Sequence, residues 1–142
     1  YSIKTPSGTE LLFYDEPDKQ KVTLTLPSGA VLSVDDEKKT ATLSDKNADN
    51  ALTIDFDKGE IKLSAKTKLT LSAGDTSIVL ESSGNITEKS KTKIAMESAT
   101  IEGKASAKLA LAGANSEVKA DATLTLQASG PANLKGAIVK IN

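Results

Sequence analysis

The 142-residue chain has no cysteine, histidine, tryptophan or arginine, so all eighteen of its basic residues are lysine. Without cysteine there is no disulfide to form, which is compatible with assembly in the cytosol. Without histidine, no nucleophile–imidazole pair can be built, and no Cys/His metal set exists. Aromatic residues number four, Tyr1, Phe13, Tyr14 and Phe56, all within the first 56 positions, and Met96 is the only methionine. A globular core beyond Phe56 would therefore lack the large side chains that supply most buried area. The absence of arginine and of aromatic platforms argues against nucleic-acid binding. A net charge of −1 sets up no global field toward nucleic acid or an anionic membrane. No apolar run approaches the ~18 residues of a membrane-spanning helix.

What the chain does have is a period. From Val22 onward, short apolar pairs two residues apart recur at an interval near eight. Ile61/Leu63, Leu69/Leu71, Ile78/Leu80, Ile86, Ile94/Met96, Ile101/Gly103, Leu109/Leu111, Val118/Ala120 and Leu124/Leu126 mark eight steps over 63 residues. A fixed short period means one strand and one corner per repeat, stacked on the next. Period-two alternation with β-branched residues argues for strand, and no segment carries a 3.6-residue apolar stripe. Small residues dominate the second half, with twelve alanines from Ala95 to Ala137, and suit a narrow interior.

The chain divides into two parts. Residues 1–21 are the least regular: Thr5-Pro6-Ser7-Gly8 signals a turn, Leu11 to Tyr14 an apolar run, and Asp15 to Asp18 a second turn. They read as a collar or transition segment. Residues 22–142 hold the repeats. Those before Ile61 run to about nine residues with hairpin-like corners, and later ones tighten toward eight. Gly74, Gly84, Gly103, Gly113 and Gly130 fall near the ends of pairs, where a corner needs positive φ. The chain also lacks an initiator methionine and a signal-peptide pattern, and opens on a strand-like phrase, Tyr1 to Pro6. It reads as a piece of a longer protein.

Two inward residues per octad are thin for one chain. They suffice if three identical chains wind together, because each layer then draws on all three, and intertwining removes free sheet edges. The expected fold is therefore all-β, an intertwined trimeric β-helix or triangular β-prism with repeats of about eight residues. Some fifteen strands stacked at ~4.8 Å would give a rod of roughly 70 Å. Residue size falls along the chain, so the section is expected to narrow toward the C-terminus.

Three stretches resemble a known family. Ile3 to Glu16, Leu26-Pro27-Ser28-Gly29-Ala30-Val31-Leu32-Ser33-Val34-Asp35, and the closing Leu134 to Asn142 are similar to the C-terminal spike of contractile injection machines. These are the needle of contractile phage tails and the VgrG-type spike of type VI secretion. The resemblance covers essentially the whole chain. It implies a non-enzymatic membrane-puncturing needle, assembled in the cytoplasm within a virion or injection particle and delivered across the target envelope. It further implies that an upstream OB-fold domain is missing before residues 1–21. The N-terminal end would attach to the baseplate hub and tube through the missing domains. A PAAR-repeat tip protein would sit on a C-terminal platform of Val139, Lys140, Ile141 and Asn142. Some phage spikes close their own tip with histidines around a metal ion; this chain has no histidine, which shifts weight to a separate cap.

Other chemistry is weaker. Asp35-Asp36-Glu37, Asp45 with Asp49, and Asp55 with Asp57 are carboxylate pairs, but no aromatic-lined cleft accompanies them, so they read as solvated corners. Asp45-x-Asn47-x-Asp49 lacks the glycine and distal glutamate of a calcium loop. Lys89, Lys91 and Lys93 read as a solvated strand face. No cofactor is expected. Two rivals remain: the stalk of a trimeric tail fibre or adhesin, and a single-chain ice- or ligand-binding solenoid. The latter would use Thr-x-Thr pairs such as Thr23/Thr25, Thr40/Thr42 and Thr123/Thr125, which are scattered along the sequence.

Overall fold

The computed structural model describes residues 1–141. It is all-β, with ten strands in two antiparallel sheets and no helix among those residues. The strands are β1 (Ser2–Lys4), β2 (Glu10–Tyr14), β3 (Lys21–Thr25), β4 (Val31–Asp35), β5 (Thr40–Ser44), β6 (Ala51–Asp55), β7 (Glu60–Ser64), β8 (Lys68–Ala73), β9 (Thr76–Glu81) and β10 (Ile86–Lys89). The first seven form one meander in chain order, and the last three a second sheet in the order β10-β9-β8. Residues 2–14, which lie within the expected collar of residues 1–21, supply the first two strands of the larger sheet.

Turn chemistry explains the reversals. Pro6-Ser7-Gly8 and Pro27-Ser28-Gly29 close β1–β2 and β3–β4 in the same way. The glycine N–H donates to the carbonyl of Thr5 or Leu26, at 2.9 and 2.8 Å, and the N–H of that same residue donates to the carbonyl of Thr9 or Ala30. Proline presets the first turn position, and glycine supplies the positive φ that follows. Ser82-Ser83-Gly84 repeats the pattern between Glu81 and Asn85. Two other hairpins use aspartate instead. Asp35 and Asp55 end β4 and β6, and each accepts the backbone N–H three residues on, from Lys38 and Lys58, at 2.9 Å. Lys39 and Gly59 then take positive φ, +51° and +65°.

Register puts like with like. Leu11 faces Leu24, Leu24 faces Leu32, Leu32 faces Leu43, Leu43 faces Leu52 and Leu52 faces Leu63. Two positions along, Phe13, Val22, Val34, Ala41, Ile54 and Ile61 form a parallel row. Because side chains alternate across a strand, both rows lie on one face of the sheet. The other face carries Thr23, Ser33, Thr42 and Thr53 opposite one another. A slip of one residue at any strand would move its leucine to the polar side, so the register is well specified.

The apolar face lies open: Leu32, Leu43 and Leu63 are 48%, 51% and 48% exposed. No hydrophobic residue is buried; Asp35, at 8% exposure, is the one buried residue among those described. The chain exposes 12,875 Å², against about 7,000 Å² for a compact monomer of its mass.

The chain divides into two units, Tyr1–Met96, which contains both sheets, and Glu97–Asn142. No described residue beyond Lys89 is in a strand, and every described residue from Lys91 on is exposed. The strands expected at Ile94/Met96, Ile101, Leu109/Leu111, Val118 and Leu124/Leu126 are thus not formed within this chain. The physical reason is that a strand exists by its ladder, and here the chain offers those residues no backbone partner.

Candidate functional site

The feature with functional content is the two-row apolar face of the seven-stranded sheet. Each five-residue strand, with its second and fourth residues apolar, supplies one rung, and the short hairpins keep the rungs aligned from β2 to β7. The smaller sheet repeats the design. Leu69 faces Leu80, Leu71 faces Ile78, and Leu80 faces Ile86. On its opposite face Lys68 pairs with Glu81 at 3.5 Å. Both sheets therefore present one apolar and one polar side, with half-exposed leucines where a folded monomer would bury them.

The carboxylates singled out in the sequence serve the turns. Asp35 accepts the Lys38 N–H and pairs with the Lys21 ammonium at 3.4 Å across the β3–β4 ladder. That backbone hydrogen bond, then Lys21, holds its carboxyl below the usual range despite burial. Asp55 is held low by the Lys58 N–H and by the Lys58 ammonium at 3.1 Å, and it raises the Lys58 ammonium in return. Asp45 lies at the opposite sheet end. It is held low by the Asn50 side-chain amide and then by the backbone N–H groups of Asp49 and Asn50. Asp49 points elsewhere, to Lys66 at 2.8 Å. The three pairs are thus not brought together, and each first aspartate is already satisfied locally. Among the described residues, no three His, Cys, Asp or Glu side chains are grouped to hold a metal.

The sequence missed one alignment. Thr23, Ser33, Thr42 and Thr53 come from four separate strands, yet they form a single cross-strand row, and the Thr23 and Ser33 hydroxyls lie 3.3 Å apart. Spacings of ten, nine and eleven residues hide this row from any fixed-period search. Register reveals it.

At the expected cap platform, Val139 is 47% and Ile141 88% exposed, with Lys140 exposed between them. They lie in no strand, and Asn142 is outside the described residues. Tyr1, Phe13, Tyr14 and Val22 line an open depression of about 330 Å³ near the N-terminus, with Asp15, Gln20 and Lys21 at its sides. No known protein family and no curated protein matches the chain.

Proposed function

We propose that the chain is a wall-forming strand array of a homotrimeric β-prism, the central spike of a phage tail or phage-tail-like injection machine. The observation that carries this reading is the aligned apolar face on a chain in which no described hydrophobic residue is buried. Such a chain needs other apolar surfaces to fold against, and identical walls supply them in register. Wall width favours three. A five-residue strand spans about 17 Å, so a triangle of such walls sets each wall about 5 Å from the axis, half the ~10 Å between face-packed sheets. Four walls would leave about 8.5 Å and an unfilled centre by the same geometry.

The function is mechanical. A closed prism leaves no free edge, so bending requires many backbone bonds to break together, and a narrow rod concentrates contraction force on a small tip. Val139 to Asn142 would carry a PAAR-type cap, the opposite end would join the hub, and the target membrane would be a transient partner. The test is mass in solution by light scattering, with small-angle scattering for shape. A three-chain rod supports the spike, and a compact one-chain particle overturns it. Binding of a PAAR-type protein by the three-chain particle then separates a spike from a tail-fibre or adhesin stalk.

The Thr23–Ser33–Thr42–Thr53 row favours one second reading, an ice-binding sheet. A thermal-hysteresis measurement on the assembled protein would decide it.

A further inference from the structure

A leucine and a tyrosine stand on the polar face of the larger sheet, near one end. Leu12 pairs with Ser2 and Thr23, and Tyr14 with Lys21, in rows that belong to that face. Both side chains are half-exposed, and the leucine rows on the opposite face do not involve them. They line an open depression of about 460 Å³, within the size range of small-ligand sites. Lys19 joins it from the β2–β3 turn, Glu37 and Lys38 from the β4–β5 turn, and the buried Asp35 with Lys21 from the sheet. The two turns are tied together and fixed in shape. The Asp36 N–H donates to the Gln20 carbonyl at 2.8 Å, and the Lys19 N–H to the Glu16 carbonyl at 3.0 Å. Asp35 accepts the Lys38 N–H, and Asp18 and Lys39 take positive φ, +62° and +51°. The depression is thus formed before any ligand arrives, which lowers the cost of binding.

Lys21 is neutralised by Asp35 at 3.4 Å. Among the described residues, the Lys19 and Lys38 ammonium groups and the Glu37 carboxylate form no ion pair. The depression therefore offers one aromatic ring, two uncommitted cations and a carboxylate that can accept hydroxyl protons. A pyranose ring presents C–H groups on its faces, which stack on the negative face of an aromatic ring, and hydroxyls around its rim. Two ammonium groups add a demand for an anionic substituent. We infer that this depression binds a saccharide carrying a carboxylate or phosphate group, stacked on Tyr14 and paired with Lys19 and Lys38. Other occupants fit less well. An extended peptide cannot add a strand here, because β2, β3 and β4 are paired on both edges. Single-stranded nucleic acid stacks on successive aromatic platforms, and Tyr14 is the only aromatic side chain in the depression. All of these residues come from β2 to β4 and the adjoining turns of one chain, so the site does not rest on the trimeric reading.

The test uses the full chain on a glycan array of neutral sugars, uronic acids, sialic acids and sugar phosphates, with calorimetric titration of the glycans that bind. Acidic glycans are expected to bind and their neutral counterparts to fail, and the carboxylate and phosphate arms show which anion the site prefers. The double variant Lys19→Gln/Lys38→Gln is expected to weaken binding about tenfold or more, at the parent's particle mass and denaturant midpoint. Tyr14→Ala is expected to lose binding, and Tyr14→Phe, which keeps the ring face, to retain it. Lys62→Gln lies on the same face of the sheet, opposite Thr53 and outside the depression, and is expected to bind as the parent does. An array with no acidic glycan bound, or with neutral and acidic sugars bound alike, would overturn the inference. So would full binding by the double variant or by Tyr14→Ala, or an equal loss in Lys62→Gln. Glycan binding is read separately from particle mass, so the spike reading can fail while this site stands, and the reverse.

Discussion

Gly29 passes so close to Lys46 that a Cβ atom built on Gly29 would lie 2.7 Å from the Lys46 Cβ. The two residues belong to neighbouring loops at one end of the larger sheet, between β3 and β4 and between β5 and β6. Gly29 also has φ of +85°. Gly29→Ala therefore meets strain and collision together. It is expected to destabilise the fold by about 1–3 kcal/mol per chain, read as a lowered denaturant midpoint. Gly59 is the control: its φ is +65°, but nothing lies within 4 Å of a Cβ there. Gly59→Asn, which tolerates that backbone, is expected to stay within about 0.5 kcal/mol of the parent.

Leu43 and Thr42 are neighbours that point to opposite faces. If the leucine rows are covered by other copies, Leu43→Asp places a charge in a desolvated interface, where burial of an unpaired carboxylate is prohibitive. It is expected to abolish the three-chain mass in light scattering. Thr42→Asp puts the same charge on the polar face and is expected to leave the mass unchanged. Equal behaviour of the two variants would remove the face-specific interface.

Much of this face was legible beforehand. Period-two alternation in Val22 to Leu26, Val31 to Val34 and Leu52 to Phe56 identifies strands and names their inward residues, because strand geometry is local. The Pro-Ser-Gly corners were legible for the same reason. Register was not, since it depends on which residues pair across turns of unequal length; that is why the Thr23–Thr53 row went unseen. Acidic corners look solvated from spacing alone, which does not distinguish idle exposure from the turn-capping that Asp35, Asp45 and Asp55 perform. Strand periodicity beyond Lys91 was visible too. That these repeats form no ladder within the chain was not, because spacing alone does not say which backbone groups pair.

Ile141, with Val139, forms the apolar part of the proposed platform. In a spike, Ile141→Asp is expected to abolish capture of a PAAR-type protein while leaving the three-chain mass intact. Lys135→Asp, a few residues upstream on a charged position, is expected to retain capture. Loss of cap binding in both, or in neither, would move the platform away from Val139–Asn142.

Asp35, Asp45 and Asp55 share one pH consequence. Each carboxyl titrates below its ordinary value near 3.8 in the folded chain, because turn N–H groups or the Asn50 amide stabilise the charged form. The unfolded chain therefore binds protons more readily than the folded one over that interval, and stability falls as pH falls. The contribution is fully present above the ordinary value and is lost as pH drops through the lower, folded one. Lys58 runs the other way. Its ammonium is raised above the ordinary 10.5 by Asp55, so its share persists below that value and disappears as pH climbs through the folded one. The denaturant midpoint is expected to be flat around neutrality, to fall on acidification below the ordinary carboxylate range, and to fall again in strong base. Asp35→Asn keeps an acceptor for the Lys38 N–H but loses the charge. It should lower the neutral plateau and flatten the acid limb, whereas an acid limb unchanged in all three single Asp→Asn variants would assign acid sensitivity to other groups.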